Sequence, residues 1–177
     1  AQVASMTNNV TNGAISGLNG VITAASMGPF VLSISAGPVA ALSSFTTYTD
    51  AQKGEMAKSS ASGATAGLWA YTAQMTPAAM ATMTNNITSG AIGALNGVIS
   101  AASMGSYVQA ISAGPMTAMA SFSSYTDAQK AEMAKGAAQG ATMGLGTFTT
   151  FTSAQMQAMS VQASQGAVGS LNGVIPA

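Results

Sequence analysis

The sequence predicts an all-α fold, either a helical repeat array or a bundle of about seven helical elements. Three observations predict it: a 77-residue internal duplication, a glycine that recurs about every 26 residues, and apolar residues three or four positions apart between those glycines. A chain of this length can bury one core. We expect a single domain over 1–177, with repeat 1 at 1–76, repeat 2 at 77–152 and a partial repeat 3 at 153–177.

The duplication is visible when two long segments are compared directly. MTNNVTNGAISGLNGVITAASMG, which starts at Met6, returns as MTNNITSGAIGALNGVISAASMG from Met83. A third, partial copy contributes GAVGSLNGVI near the end of the sequence. Three elements in each 77-residue unit and one more give seven, and each has a register glycine near its middle. The register glycines are Gly13, Gly37, Gly63, Gly90, Gly114, Gly140 and Gly166.

Apolar spacing assigns these elements to helices. In the first element, apolar residues recur at helical intervals from Val3 to Ala25, and the fourth element repeats the pattern from Pro77 to Ala102. The row Gly136, Gly140 and Gly144 falls on one face of the sixth element. Glycine costs about 1 kcal/mol in a helix relative to alanine, so this row predicts a close approach of another helix as the compensating gain.

Start and stop signals divide the elements. Thr-x-x-Gln capping boxes begin at Thr49, Thr126 and Thr152, and Thr76 precedes a proline suited to a first helical position. Gly-Pro pairs at 37–38 and 114–115 interrupt the second and fifth elements. We therefore expect each of these two elements to be two shorter helices joined by a kink or turn.

All eight charged side chains belong to two copies of one motif, DAQKGEMAK and DAQKAEMAK. On a helix, the first acid lies beside the first lysine and the second acid beside the second lysine, as i, i+3 pairs. We expect a solvated face with two weak ion pairs in each copy; the alternative is an electrostatic latch between copies of the chain. These candidate assembly ion pairs comprise Asp50, Lys53, Glu55, Lys58, Asp127, Lys130, Glu132 and Lys135.

Composition argues against catalysis and against several partners. The chain has no histidine or cysteine, and its basic residues are all lysines, so the commonest general base, the thiolate and the guanidinium clamp are missing. We expect no enzymatic activity, no cofactor and no metal site. Zero net charge without a basic patch argues against nucleic acid. The most apolar window, 89–104, is diluted by Ser, Gly and Asn, which argues against a membrane span.

Two further features bear on location. A start at Ala1 rather than methionine fits a processed mature chain, and from it we expect an extracellular, secreted protein. Asn9 and Asn86 stand in Asn-x-Thr sequons and are candidates for glycosylation. Because both triplets fall inside predicted helices rather than surface loops, the favoured interpretation is that neither asparagine is modified.

Three functional hypotheses remain. Zero net charge, repetition and small-residue seams favour a structural, self-associating protein of filament, fibre or surface-layer type. The first alternative is an ice- or interface-binding protein, which would need regular threonine rows; the threonines that fail to continue an 11-residue row are Thr7, Thr11, Thr84 and Thr88.

The second alternative is a carrier of apolar ligands in an inter-helical cavity. Large apolar side chains at helical spacing could line such a cavity, although plain core packing is the favoured interpretation. The aromatic candidates are Phe30, Phe45, Trp69, Tyr107 and Phe122.

Overall fold

A computed structural model describes residues 2–172, 174 and 175, and it confirms the all-α prediction. Within these residues the chain forms seven α-helices joined by turns and short 3-10 segments, without a β-strand. The helices are α1 (Gln2–Ser16), α2 (Met27–Ala41), α3 (Asp50–Gly67), α4 (Pro77–Gly93), α5 (Met104–Met119), α6 (Asp127–Leu145) and α7 (Ser153–Gly169).

The predicted helix starts are confirmed. At α3 the Thr49 hydroxyl accepts the N–H of Gln52, and the Gln52 side chain accepts the N–H of Thr49 at 2.9 Å. Thr126 and Thr152 make the same reciprocal capping box. Thr76 caps α4, whose proline occupies the first turn. Local hydrogen bonds therefore fix where four of the helices begin.

The predicted ends of the first and fourth elements are wrong. Both helices stop well before Ala25 and Ala102 and are followed by a Leu-Asn-Gly turn. Gly20 has φ 82° and Gly97 has φ 74°, a left-handed conformation that ends helices and that glycine adopts without steric cost. The Asn-Gly pair is a turn signal that outweighs the apolar spacing.

The predicted division of the second and fifth elements is also wrong. α2 runs through Pro38 and α5 runs through Pro115, each as one helix. A proline ring also crowds the Cβ and N–H of the residue before it, and here that residue is a glycine without a Cβ. Each proline also lies in the C-terminal part of its helix, so little of the helix follows the lost hydrogen bond.

The helices form two rows. Each helix from α3 onward packs more extensively on the helix two positions earlier in the chain than on the helix directly before it. One row is α1, α3, α5 and α7, and the other is α2, α4 and α6; contacts between consecutive helices join the rows. Most of the thirteen methionines are buried between the helices with Leu68, Tyr71, Ile87 and Phe122. The layer of α1 and α2 therefore lies at one end, and that of α6 and α7 at the other.

The same backbone contact recurs in all five joints between helices of one row. The register glycine of the later helix lies against a carbonyl of the earlier helix, five residues before the earlier helix's own register glycine. An added Cβ would collide with that carbonyl or press tightly against it, so the joints need glycine. The pairs are Gly63 on Asn8, Gly90 on Leu32, Gly114 on Lys58, Gly140 on Asn85, and Gly166 on Gln109.

The predicted close approach along α6 is confirmed by three successive contacts. Gly136, Gly140 and Gly144 lie against the carbonyls of Ala81, Asn85 and Ser89. The contacts advance by four residues along both helices, so α6 runs parallel to α4. Because these glycines have no side chains, the two backbones can touch.

Candidate assembly surfaces

The charge motif opens α3 and α6, and half of its predicted ion pairs are confirmed. Lys58 Nζ lies 3.7 Å from Glu55 Oε2, and Lys135 Nζ lies 3.3 Å from Glu132 Oε2. These four side chains are exposed to solvent in whole or in part. Such surface pairs contribute about 0–1 kcal/mol each.

The other two lysines are not on a solvated face, so the predicted Asp–Lys pairs are wrong. Lys53 and Lys130 are each only 9% exposed. Lys53 donates to the carbonyl of Val98 and Lys130 to the carbonyl of Val174, each at 3.3 Å. Each ammonium group thus holds the turn that follows a helix of the neighbouring row, a contact between residues 44 or 45 positions apart that helical spacing cannot reveal.

Asp50 binds the loop before α5 rather than Lys53. Its carboxylate accepts the hydroxyl of Ser100 at 2.7 Å and the Ser100 N–H at 3.0 Å. These two hydrogen bonds, with a smaller contribution from the hydroxyl of Ser103, hold the pKa of the Asp50 carboxyl below its ordinary value of 3.8. The motif therefore contributes to internal packing, and its role as a latch between copies stays a prediction.

The aromatic candidates do not share a cavity in the described part of the chain. Phe122 is buried and Tyr107 is partly buried, but Phe30, Phe45 and Trp69 are more than 40% exposed, so their assignment to the core is wrong. The ring of Trp69 lies 5.2 Å from that of Phe122 beside a surface groove of about 400 Å³. This groove does not reach the other three aromatic residues.

The sequon asparagines lie in α1 and α4. Asn86 is partly buried and donates to the carbonyl of Gly28 at 3.3 Å, whereas Asn9 is exposed. The hydroxyls of the sequon threonines Thr11 and Thr88 are buried and donate to helical carbonyls one turn earlier. That neither asparagine is glycosylated stays a prediction.

The threonines considered for an ice-binding row do not form a surface. All four are at most 9% exposed, and each hydroxyl donates to the carbonyl four residues earlier in its own helix. A hydroxyl held inside a helix pair cannot order surface water. The buried residues are Thr7, Thr11, Thr84 and Thr88.

The first layer carries an open apolar face, which we name the head surface: Met6, Val10 and Gly13 of α1 with Phe30 and Gly37 of α2. Met6 is 59% and Val10 is 61% exposed. Among the described residues, no atom lies within 4 Å of the place that a Cβ would take on Gly13 or Gly37. The head surface therefore has the composition of a helix joint without a neighbouring helix.

Residues 77 positions later show what this face does inside the array. Met83 is 5% exposed and Ile87 is fully buried where α4 packs on α2. Gly90 lies against the carbonyl of Leu32 in the same joint. The ring of Tyr107, the counterpart of Phe30, covers Gly54 of α3.

The last layer carries the opposite side of such a joint, which we name the tail surface: Lys135 and Thr142 of α6 with Val161 and Val168 of α7. Val168 is 65% exposed. Its counterparts in the repeat, Ile15 of α1 and Ile92 of α4, are fully buried under the next helix of the row. Thr142 is exposed, although its counterpart 77 residues earlier in α3 is fully buried.

Two other features of the described residues concern membranes and metal ions. One helical stretch, Ala24–Ser44, is long and apolar enough to cross a membrane, but a core helix or a signal sequence has the same length and composition. Phe30 and Leu32 on the outer sides of α2 contribute to this apolar character. No group of three or more His, Cys, Asp or Glu side chains that could hold a metal ion occurs in this part of the chain.

The fold thus defines an all-α array of paired helix rows with open surfaces at both ends. Comparison with models of known protein families, with curated proteins and with solved structures finds no match.

Proposed function

We propose that this chain is a structural, self-associating helical repeat protein of filament, fibre or surface-layer type, without catalytic activity. The observation that carries the proposal is the difference in burial between equivalent residues. Apolar side chains that are buried wherever the array supplies a neighbour, such as Met83, Ile87 and Ile92, have exposed counterparts on the head and tail surfaces. Another copy of the chain would supply the missing neighbour.

Physical magnitudes favour association through these surfaces. Full burial of a valine or methionine side chain contributes about 1.5–3 kcal/mol, and the end surfaces expose Met6, Val10, Val161 and Val168. Zero net charge leaves little long-range repulsion between copies. Backbone contact at glycine also costs no side-chain entropy, because glycine has no rotamers to lose.

The internal contacts of the charged groups support a non-catalytic role. Lys53 and Lys130 bind backbone carbonyls, and Asp50 binds Ser100. The remaining pairs lie on the surface without a neighbouring histidine or cysteine, because the chain has neither. Such an arrangement favours stability and register rather than proton transfer.

Concentration-dependent light scattering with negative-stain imaging tests the proposal. We expect the mean mass to rise with concentration and elongated particles to form. Val10→Glu places a charge on the head surface and should strongly reduce association. Thr117→Glu is the matched control, because it adds the same charge at an exposed position of the interior helix α5. A monodisperse monomer at high concentration would contradict the proposal.

A further inference from the structure

We infer that the copies add head to tail in a fixed register, with Gly13 of one copy on the Lys135 carbonyl of the next and Gly37 on the Val161 carbonyl. This inference rests on the proposed function and names its interface. The two-helix layer α1 and α2 then continues the two rows that end in α6 and α7. The occupant of each end surface is a second copy of this chain.

The register follows from the contact shared by the five internal joints. In each joint the glycine of the later helix meets the carbonyl five residues before the register glycine of the earlier helix. Five residues before Gly140 of α6 stands Lys135, and five residues before Gly166 of α7 stands Val161. Both lie on the tail surface. Continuation of the odd and even rows assigns Gly13 to α6 and Gly37 to α7.

The rule does not depend on which helices of the repeat meet. The internal joints place third-type helices on first-type helices, first on second, and second on third, and all obey the same glycine–carbonyl step. Addition of a new first layer brings a first-type helix onto α6 and a second-type helix onto α7. These combinations are new, but they use the same backbone contact, which requires a glycine on one helix and only a main-chain carbonyl on the other.

A second contact fixes the neighbouring side chains. Ile15 packs on Gly67, and Ile92 packs on Gly144, so the residue two after one register glycine meets the residue four after the next. On the end surfaces these positions are Val168 and Ala41. Both are exposed. Ala41 carries a Cβ where those two joints have glycine, but the equivalent positions in the joint of α2 and α4 are also a valine and an alanine, Val39 and Ala94, and Val39 is fully buried there.

Head-to-tail addition also explains why the two end surfaces differ. The head surface offers the glycine side of a joint, and the tail surface offers the carbonyl side with its apolar flank. If two head surfaces met, glycines would lie against glycines, without the carbonyls that lie against the register glycines in the five joints. A contact between different surfaces leaves both ends of the product open, so it extends into a filament unless the rotation closes a ring.

Disulfide trapping tests the register directly, because the chain contains no cysteine. An ideal Cβ on Gly144 lies 3.0 Å from the Ile92 Cβ, so a small shift brings a cysteine pair at equivalent positions to the disulfide range of about 3.5–4.5 Å. We expect an equal mixture of Ala41→Cys and Val168→Cys proteins to give a covalent heterodimer under mild oxidation. Replacing the second with Thr117→Cys should abolish that product.

Two blocked variants provide an independent test. Gly13→Gln fills the head glycine, whose surroundings are open in the free chain, and Val168→Glu charges the tail surface. Each variant alone should be a folded monomer. The melting temperature of Gly13→Gln should equal or exceed that of the wild type. The mixture should form a one-to-one dimer that grows no further, because only one head and one tail remain intact.

The outcomes separate this inference from the proposed function. Wild-type chain that never associates overturns both. Wild-type chain that associates while either blocked variant still forms dimers by itself overturns the head-to-tail register and leaves self-association standing. The head-to-tail register would also be overturned if each single-cysteine protein cross-linked to itself as efficiently as to the other.

Discussion

At the scale of single residues, the charged motif acts mainly by holding turns. Within the described residues, Lys53 and Lys130 are buried without a carboxylate partner, and each neutralises the partial charge of one loop carbonyl. The Asp50 carboxylate accepts hydrogen bonds from the N–H and the hydroxyl of Ser100. Because hydrogen bonds to a charged group contribute about 1.5–3 kcal/mol, the two buried lysines have structural importance despite the small number of ions in the chain.

The lowered pKa of Asp50 predicts a loss of stability in acid. A carboxyl whose pKa is lower in the folded state stabilises the fold above its unfolded pKa, and this contribution disappears as the pH falls through the folded pKa. Asp50→Asn should therefore be less stable than wild type at pH 7, and the difference should shrink towards zero near pH 2. Urea unfolding at a series of pH values measures it.

Glu55→Gln is the control for that experiment. It removes a charge from the same helix, but the Glu55 carboxylate loses only its surface salt bridge to Lys58. Its difference from wild type should be small at every pH. A pH-independent difference for Asp50→Asn would show that the Ser100 contacts do not depend on the carboxylate charge.

At the scale of helices, close packing depends on the register glycines. Gly140 brings the backbone of α6 onto the carbonyl of Asn85, and Gly136 and Gly144 extend the contact by a turn in each direction. The obstacle that an added Cβ would meet is backbone rather than the end of a flexible side chain, so the neighbouring helix would have to move.

Gly140→Ala should destabilise the chain, and Gly13→Ala should not. Overpacking costs about 1–3 kcal/mol or more, which exceeds the gain of about 1 kcal/mol from better helix propensity. Gly13 occupies the same place in the repeat without a neighbour within 4 Å in the described structure, so only the propensity gain applies there. Urea denaturation of both variants at low protein concentration measures the difference. Equal effects would contradict the packing argument.

At the scale of the whole molecule, the array has an interior and two ends. α4 packs between α2 and α6 within its row, whereas α1 and α7 each have a row neighbour on one side only. In repeat arrays stability comes from nearest-neighbour interfaces, so helices with one neighbour open at lower free energy than helices with two. We therefore expect the apolar end surfaces to be the least protected parts of the array.

Hydrogen exchange followed by mass spectrometry should reveal this gradient. At low concentration, amides of α4 should exchange more slowly than amides of α1 and α7. As concentration rises, protection should increase in α1, α2, α6 and α7 and change little in α4. The interior helices serve as the internal control, and uniform protection from α1 to α7 would show that the array opens only as a unit.

The correct sequence predictions concern mainly local contacts. The starts at Thr49, Thr126 and Thr152 could be predicted because both partners of a capping box lie three residues apart. The errors at Ala25 and Pro38 have a different cause. Apolar periodicity continues through the Asn-Gly turn that ends the first helix, and a Gly-Pro pair predicts an interruption although its glycine has no Cβ to clash with the proline ring.

By itself, the sequence determined that the chain is helical, that its elements number seven and that a register glycine recurs in each. Helix periodicity, capping and repetition are encoded within a few residues or by direct comparison of segments. Only the tertiary structure decided that each helix packs on the second helix before it, that Lys53 binds Val98, and that equivalent apolar residues are buried inside the array but exposed at its ends. These properties depend on contacts between residues about 45 to 58 positions apart, and burial depends on whether a neighbouring helix is present.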